Sequence, residues 1–244
     1  MININSVYQK VLAITNKEQR GYITPQEFNL FANQAQMEIF EQYFYDLNQF
    51  NRIPGNDTPY ADVDTMLEEK LQIFESFDER TTVNNYTSAT NQQGLVNALI
   101  LPDYIYRVSR VLGRENNEAE IVNTKDFDNI RRGGYLTFPT DDRPIVNIRN
   151  NEIRILWTNK TVGTWGLQGI YYFRIPNNIS WGYVVIGGTA MWDNTTTTHC
   201  ELHAAEETEL VHKILKYAGI SMKRNDIMSA GQGMEIANVQ QEKQ

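Results

Sequence analysis

Apolar residues recur at spacings of three and four through the first quarter of the chain, then give way to alternation. Ile4, Val7, Tyr8, Val11 and Leu12 predict a short amphipathic helix over 3–15. Gly21 sits in a polar turn, and Thr24-Pro25-Gln26-Glu27 supplies a helix start: Thr at the N-cap, Pro at the first helical position and Glu closing a capping box. The helix that follows, over 24–50, sets Phe28, Phe31, Ala32, Ala35, Ile39, Tyr43, Leu47 and Phe50 on one stripe. A second row, Met37, Phe40 and Phe44, lies on another face, whereas one core needs one stripe. That row predicts burial either inside a larger bundle or against a neighbouring subunit. Pro54, Gly55 and Pro59 break the helix, and Asp62–Phe77 reads as another, with Val63, Leu67, Leu71 and Phe74 inward.

From Thr81 the segments become β-type: Leu99–Leu101, Ile105–Leu112, Leu136–Phe138, Ile145–Ile148, Ile153–Trp157, Ile170–Ile175 and Tyr183–Ile186. Asn150-Asn151 predicts a tight hairpin, and Asp126–Arg131 one helical turn. After the loop Thr195–Thr198, a closing helix starts near Ala204, is loaded with Glu206, Glu207 and Glu209 in its first turn, and ends with Gly219 at the C′ position. The order predicts an α+β fold. Helices in 1–80 and 201–220 form an antiparallel bundle, an inserted and mostly antiparallel β domain occupies 81–200, and a tail follows over 221–244. In that tail Ile227, Met234 and Ile236 are too few for a core and too many for a solvating segment, which predicts ordering on a partner. Gly231 and Gly233 interrupt any long helix there.

Composition narrows the function classes. The formal net charge of −8 over 244 residues argues against a general duplex-DNA binder, which carries a basic stripe. It suits a surface that DNA must pass without sticking, and equally plain solubility. A single cysteine, Cys200, excludes an intrachain disulfide framework. No basic and apolar leader and no run of ~20 apolar residues is read, so neither secretion nor a membrane is expected, and synthesis is placed in the cytoplasm.

Candidate chemistry is sparse. There is no Walker A loop, and Gly187-Gly188 lacks the third glycine and following helix of a dinucleotide turn. One metal-like cluster stands out, His199-Cys200-Glu201-Leu202-His203. On a helix its histidines share a face with Cys200 nearby, as a zinc site needs; on a strand His199, Glu201 and His203 line one solvent face, and the preceding threonines favour the extended form. Cys200 as a nucleophile lacks a visible orienting group. The aromatics, among them Trp165, Trp181 and Trp192, suit either a stacking platform or cross-strand packing, and the scarcity of basic residues favours packing. No cofactor is called for.

Several phrases in succession resemble the neck proteins of short-tailed bacteriophages, the head-to-tail adaptor or ring proteins, including those of crAss-like phages. They are Thr24-Pro-Gln-Glu27 continuing to Ala35-Gln-Met-Glu-Ile-Phe-Glu41, Leu101-Pro-Asp-Tyr-Ile-Tyr-Arg-Val108, Phe138-Pro-Thr-Asp-Asp-Arg-Pro144 leading to Asn151-Glu-Ile-Arg-Ile-Leu156, Tyr171-Tyr-Phe-Arg-Ile-Pro176, and Glu206 through Ile220. The resemblance implies a helical bundle with an inserted β domain and a non-enzymatic ring of about a dozen copies in the virion neck. Its implied partners are itself, the portal protein, other neck or tail ring proteins, and genomic DNA passing without sequence-specific contact. The expected assembly residues are Phe40, Phe44 and Phe50 on the second helix face and Ile227, Met234 and Ile236 in the tail. Two alternatives stand beside it: a glycan- or receptor-binding tail module using Trp165, Trp181 and Trp192, and a zinc enzyme using His199, Cys200 and His203.

Overall fold

The computed structural model describes residues 1–15, 23–50, 63–79, 89–91, 94–113, 117–133, 139–140, 143–157, 169–221, 229, 231–234 and 236–237. The chain divides into two compact units, one made of Met1–Ile73 with Pro176–Gln244 and the other of Phe74–Ile175. The fold is mixed α and β, and among the described residues all strand pairs but Glu120–Ile121 with Ile145–Arg149 are antiparallel.

The first unit holds α1 (Ile4–Thr15), α2 (Pro25–Phe50), α3 (Val63–Gln72) and α5 (Glu207–Ser221). The capping box at the start of α2 is complete: the Glu27 carboxylate accepts from the Thr24 N–H at 3.0 Å, and the Thr24 hydroxyl accepts from the Glu27 N–H at 3.2 Å. Phe28, Ala32, Ala35, Ile39 and Tyr43 of the predicted stripe are buried, and α2 packs on α5, whose Leu210, Ile214 and Ala218 are buried as well. Tyr8 of α1 meets Phe28 edge-on, with ring centroids 4.8 Å apart. The closing helix does not stop at Gly219. It runs through it to Ser221, with Gly219 buried, so this glycine sits inside the helix rather than in a left-handed cap.

Residues 176–200, expected in the β domain, belong to this helical unit instead. The chain here runs extended along α2, and side-chain amides replace a partner strand. Asn33 accepts from the Ile179 N–H at 2.7 Å and donates to the Ile179 carbonyl at 2.9 Å. Asn29 does the same for Trp181 at 2.8 and 3.5 Å, and Gln36 donates to the Asn177 carbonyl at 2.8 Å. Four helical residues rise about 6 Å and two extended residues span about 6.6 Å, so amides one helical turn apart meet alternate residues of the segment. Further along, Ile2 and Cys200 exchange backbone bonds at 2.9 and 3.3 Å.

The second unit begins at Phe74 rather than at 81. The helix expected over 62–77 ends at Gln72, and Glu75–Asp78 forms β1. Its apolar spacing fits either period. What decides is pairing: β1 lies antiparallel to β8 (Gly169–Arg174), with Phe77 opposite Tyr171 and their rings 4.6 Å apart. β8 is the centre of a three-stranded sheet completed by β4 (Ile105–Leu112). A five-stranded sheet runs in the order β2 (Ala89–Asn91), β3 (Gly94–Ile100), β7 (Glu152–Trp157), β6 (Ile145–Arg149), β5 (Glu120–Ile121).

Val108, Val111, Val146, Ile153, Ile155 and Ile170 form a shared core between the two sheets. The other face of the larger sheet is covered by α4 (Thr124–Arg132), whose Phe127 packs on Leu156. Asn150 and Asn151 take φ values of 50° and 57°, the left-handed pair that a two-residue type I′ turn between β6 and β7 requires. The strand expected at Leu136–Phe138 lies outside the described residues.

Candidate interface

β9 (Tyr183–Ile186) and β10 (Thr189–Trp192) form a two-stranded hairpin, a sheet of its own within the helical unit. Gly187 and Gly188, at φ 61° and 83°, make its turn and so belong to hairpin geometry rather than to a phosphate loop. In register, Tyr183 faces Trp192 and Val185 faces Ala190 on one side, while Val184 faces Met191 and Ile186 faces Thr189 on the other. Among the described residues none covers either side: Val184 is 50% exposed, Val185 62%, Ile186 60% and Met191 54%.

The base of the hairpin is fixed. Trp181 is buried against Tyr8 with centroids 4.1 Å apart, and its indole N–H donates to Asn5 at 3.1 Å. The Asp193 N–H closes on the Gly182 carbonyl at 2.9 Å. The Thr197 hydroxyl accepts from the Gly182 N–H at 3.1 Å and from the Trp192 indole N–H at 3.0 Å. Asp193 organises the threonine loop, accepting from the Thr195 N–H at 2.9 Å and from the hydroxyls of Thr195 and Thr196. Those bonds, the Thr195 hydroxyl first, hold its carboxyl below the usual range. A Cβ on Gly182 would fall 2.1 Å from the Thr196 hydroxyl oxygen, so only glycine fits beneath this loop.

The expected assembly residues fare differently. Phe40 is fully buried in its own chain and therefore is not a surface for a neighbour; Phe44 is half-buried and meets Phe40 edge-on at 5.1 Å. Of the second row, Phe40 is core, while Met37 and Phe44 are half-buried. The side chain of Phe50 and the whole of Ile227 lie outside the described residues. Met234 and Ile236 are exposed, at 46% and 58%. Residues 231–234 are helical, and Gly231, expected as a break, is buried where a Cβ would stand 3.2 Å from the Lys216 backbone nitrogen of α5. This part of the tail docks on its own chain.

The three candidate zinc ligands point to separate tasks. His199 Nδ1 accepts from the Ile4 N–H at 3.4 Å, and His203 Nδ1 caps the 3₁₀ turn Ala204–Glu206 by accepting from the Ala205 N–H. Cys200 is buried, and burial pushes its thiol up to about 11. Among the described residues, no group of three or more His, Cys, Asp or Glu side chains is placed to hold a metal ion. Trp181 is buried, Trp192 is 42% exposed and Trp165 lies outside the described residues, so no aromatic platform is assembled from the three.

Buried charge in the helical unit is paired. Lys70 meets Glu206 at 2.6 Å, and Lys213 lies between Glu209 at 3.5 Å and Glu38 at 3.8 Å, where the Tyr217 hydroxyl also donates to Glu38. Glu206, one of the acids expected to load the first turn of the closing helix, is 3% exposed. Beside it Tyr43 keeps its proton: burial, then the Glu206 and Glu209 charges, raise its phenol far above the ordinary value.

In the β unit a shallow groove of about 440 Å³ is lined by Leu101, Ile105, Tyr106, Val108, Ile121 and Ile148 with Arg107, and among the described residues no carboxylate, histidine or cysteine reaches it. No described helix is long and apolar enough to cross a membrane. No protein-family model matches the chain, and no curated protein matches it.

Proposed function

We propose that this chain is a non-enzymatic virion structural protein that forms a ring of about a dozen copies in the neck of a short-tailed bacteriophage, between portal and tail, and lets DNA pass. The observation that carries the reading is the discontinuous build: a helical unit whose chain leaves at Ile73 and returns at Pro176, with a continuous β unit between. That is the order the neck-protein resemblance implies. In this reading α1, α2, α3 and α5 are the bundle, and the β unit is its insertion.

Charge supports the same reading. Phe74–Ile175 carries twelve basic and twelve acidic residues, which leaves the whole net charge of −8 on the helical unit. A wall formed by that unit would repel phosphate and let a duplex slide. Light scattering of the purified protein, alone and mixed with a candidate portal protein, tests the proposal. A particle of about a dozen subunits in either condition is the expected result. A monomer or trimer in both conditions overturns it.

A further inference from the structure

A two-stranded hairpin is marginal on its own, and natural proteins seldom leave one apolar on both faces. Here Val184, Val185, Ile186, Met191 and Trp192 are all between 42% and 62% exposed. Together they leave on the order of 500 Å² of mostly apolar side-chain surface in water, at the upper end of the largest patches on ordinary monomers. The element is also pre-organised: its stem is tied by the Asp193–Gly182 and Thr197 hydrogen bonds and anchored by buried Trp181. Little ordering entropy remains to be lost on binding.

We infer that the β9–β10 hairpin is the arm by which one copy of this chain inserts into a second copy, in a heterologous contact. The inference rests on the ring reading and assigns its interface. Three observations select the occupant. First, Trp181–Trp192 contains no charged residue, in a chain of net charge −8. Two acidic copies repel, and they approach at least cost through uncharged surface, whereas a cationic partner would seek carboxylates. The nearest carboxylate, Asp193, is already satisfied by its own threonines.

Second, the area fits. A stable interface buries roughly 800 Å² per partner, and the hairpin alone brings more than half of that. Third, both faces are apolar. Hairpin-on-hairpin pairing about a two-fold axis would cover one face and leave the other wet. A groove on a different surface of the next copy covers both, and repetition of such a contact closes a ring. A bilayer is the other apolar medium, but the residue that closes the hairpin is Asp193, and residues 175–212 hold none of the lysines and arginines that keep an interfacial element on anionic lipid.

The test uses the full chain, alone and with the same portal protein. Val185→Asp with Ile186→Asp adds charge at two exposed positions, so the monomer should keep its far-UV spectrum and melting temperature. Val185→Cys, labelled with benzophenone maleimide, places a photo-crosslinker at the tip, since the native Cys200 thiol is buried. Support is loss of assembly in the double variant together with a crosslinked ladder extending past the dimer. A ladder that stops at the dimer overturns the heterologous geometry. Assembly of the double variant at the wild-type concentration overturns the hairpin's role and leaves the ring reading standing. Wild-type protein that stays monomeric and uncrosslinked overturns both. Flotation with phosphatidylcholine–phosphatidylglycerol vesicles that the double variant abolishes, with assembly intact, replaces the second copy by a membrane.

Discussion

The amide ladder along α2 gives the sharpest stability prediction. Asn33→Leu keeps the branching of the side chain but can neither donate nor accept. It strips both partners from Ile179, whose N–H and carbonyl meet Asn33 at 2.7 and 2.9 Å at a residue only 2% exposed. A buried polar group left unpaired costs about 1–3 kcal/mol, so the two groups together cost about 2–6 kcal/mol. Leucine regains about 1–2 kcal/mol through apolar burial. The net expectation is a loss of about 2–3 kcal/mol, dominated by the unpaired N–H, since a carbonyl tolerates under-satisfaction better.

Asn29→Leu should cost less, because its second bond, to the Trp181 carbonyl, is already 3.5 Å long. Two measurements read this out: urea titration by far-UV circular dichroism, and native-state hydrogen exchange on a peptide covering 176–182. At 1.4 kcal/mol per decade, amide protection at Ile179 should fall by about two orders of magnitude in Asn33→Leu. A loss below about 1 kcal/mol with unchanged exchange would refute the view that these amides hold the segment.

Three further outcomes follow from single contacts. Gly182→Ala should weaken the hairpin stem, because the new methyl meets the Asp193 backbone carbonyl at 2.9 Å as well as Thr196; Gly169→Ala meets chiefly the ring tip of half-exposed Phe77, which can swing aside. Thermal melts should therefore rank Gly182→Ala as the more damaging of the two. Lys70→Met removes the ammonium from Glu206, whose side chain is 4% exposed, and should cost about 3 kcal/mol; adding Glu206→Gln should recover most of it in a double-mutant cycle. Glu27 is held below the usual glutamate range by the Thr24 N–H and then its hydroxyl, and Glu207 by Lys10 and then Ser6. Both contributions are present above the unfolded pKa and are lost as pH falls through the lowered folded values, so the urea midpoint should drop on acidification below about pH 4.5, and less steeply in Glu27→Gln.

Local signals in the chain were legible. The Thr24–Glu27 capping box, the Asn150-Asn151 turn and the bounds of β4 and β9 depend on neighbours within a few residues, and the structure reproduces them. What failed depends on distant partners. Residues 73–78 suit a helix or a strand until β8, about a hundred residues later, pairs with them. Gly187-Gly188 is a strong hairpin signal, yet β10 beyond it is too short and too mixed to stand out as a strand until it pairs with β9. Gly219 looked like a cap because a glycine after a helical run usually is one, yet the helix continues past it. The polar positions Asn29, Asn33 and Gln36 recur at helical spacing beside the apolar stripe, a visible hint of a polar partner that sequence alone does not identify.

That hidden partner decides how the interface is carried. Had 176–200 belonged to the β unit, an exposed hairpin at 183–192 would move with that unit. Instead the amides of α2 grip the segment on one side, and the Ile2–Cys200 exchange ties it on the other. The hairpin is therefore an outgrowth of the helical unit, which also carries the chain's entire net charge. Repulsion between acidic units and attraction through an uncharged arm then act on the same body, so the distance at which the two terms balance is set by the length of the arm. Shortening the hairpin would force the acidic surfaces closer. Assembly should then become steeply dependent on salt, because added ions screen the repulsion within about a Debye length and leave the apolar contact intact. The wild-type arm should show a far weaker salt dependence in the same scattering experiment.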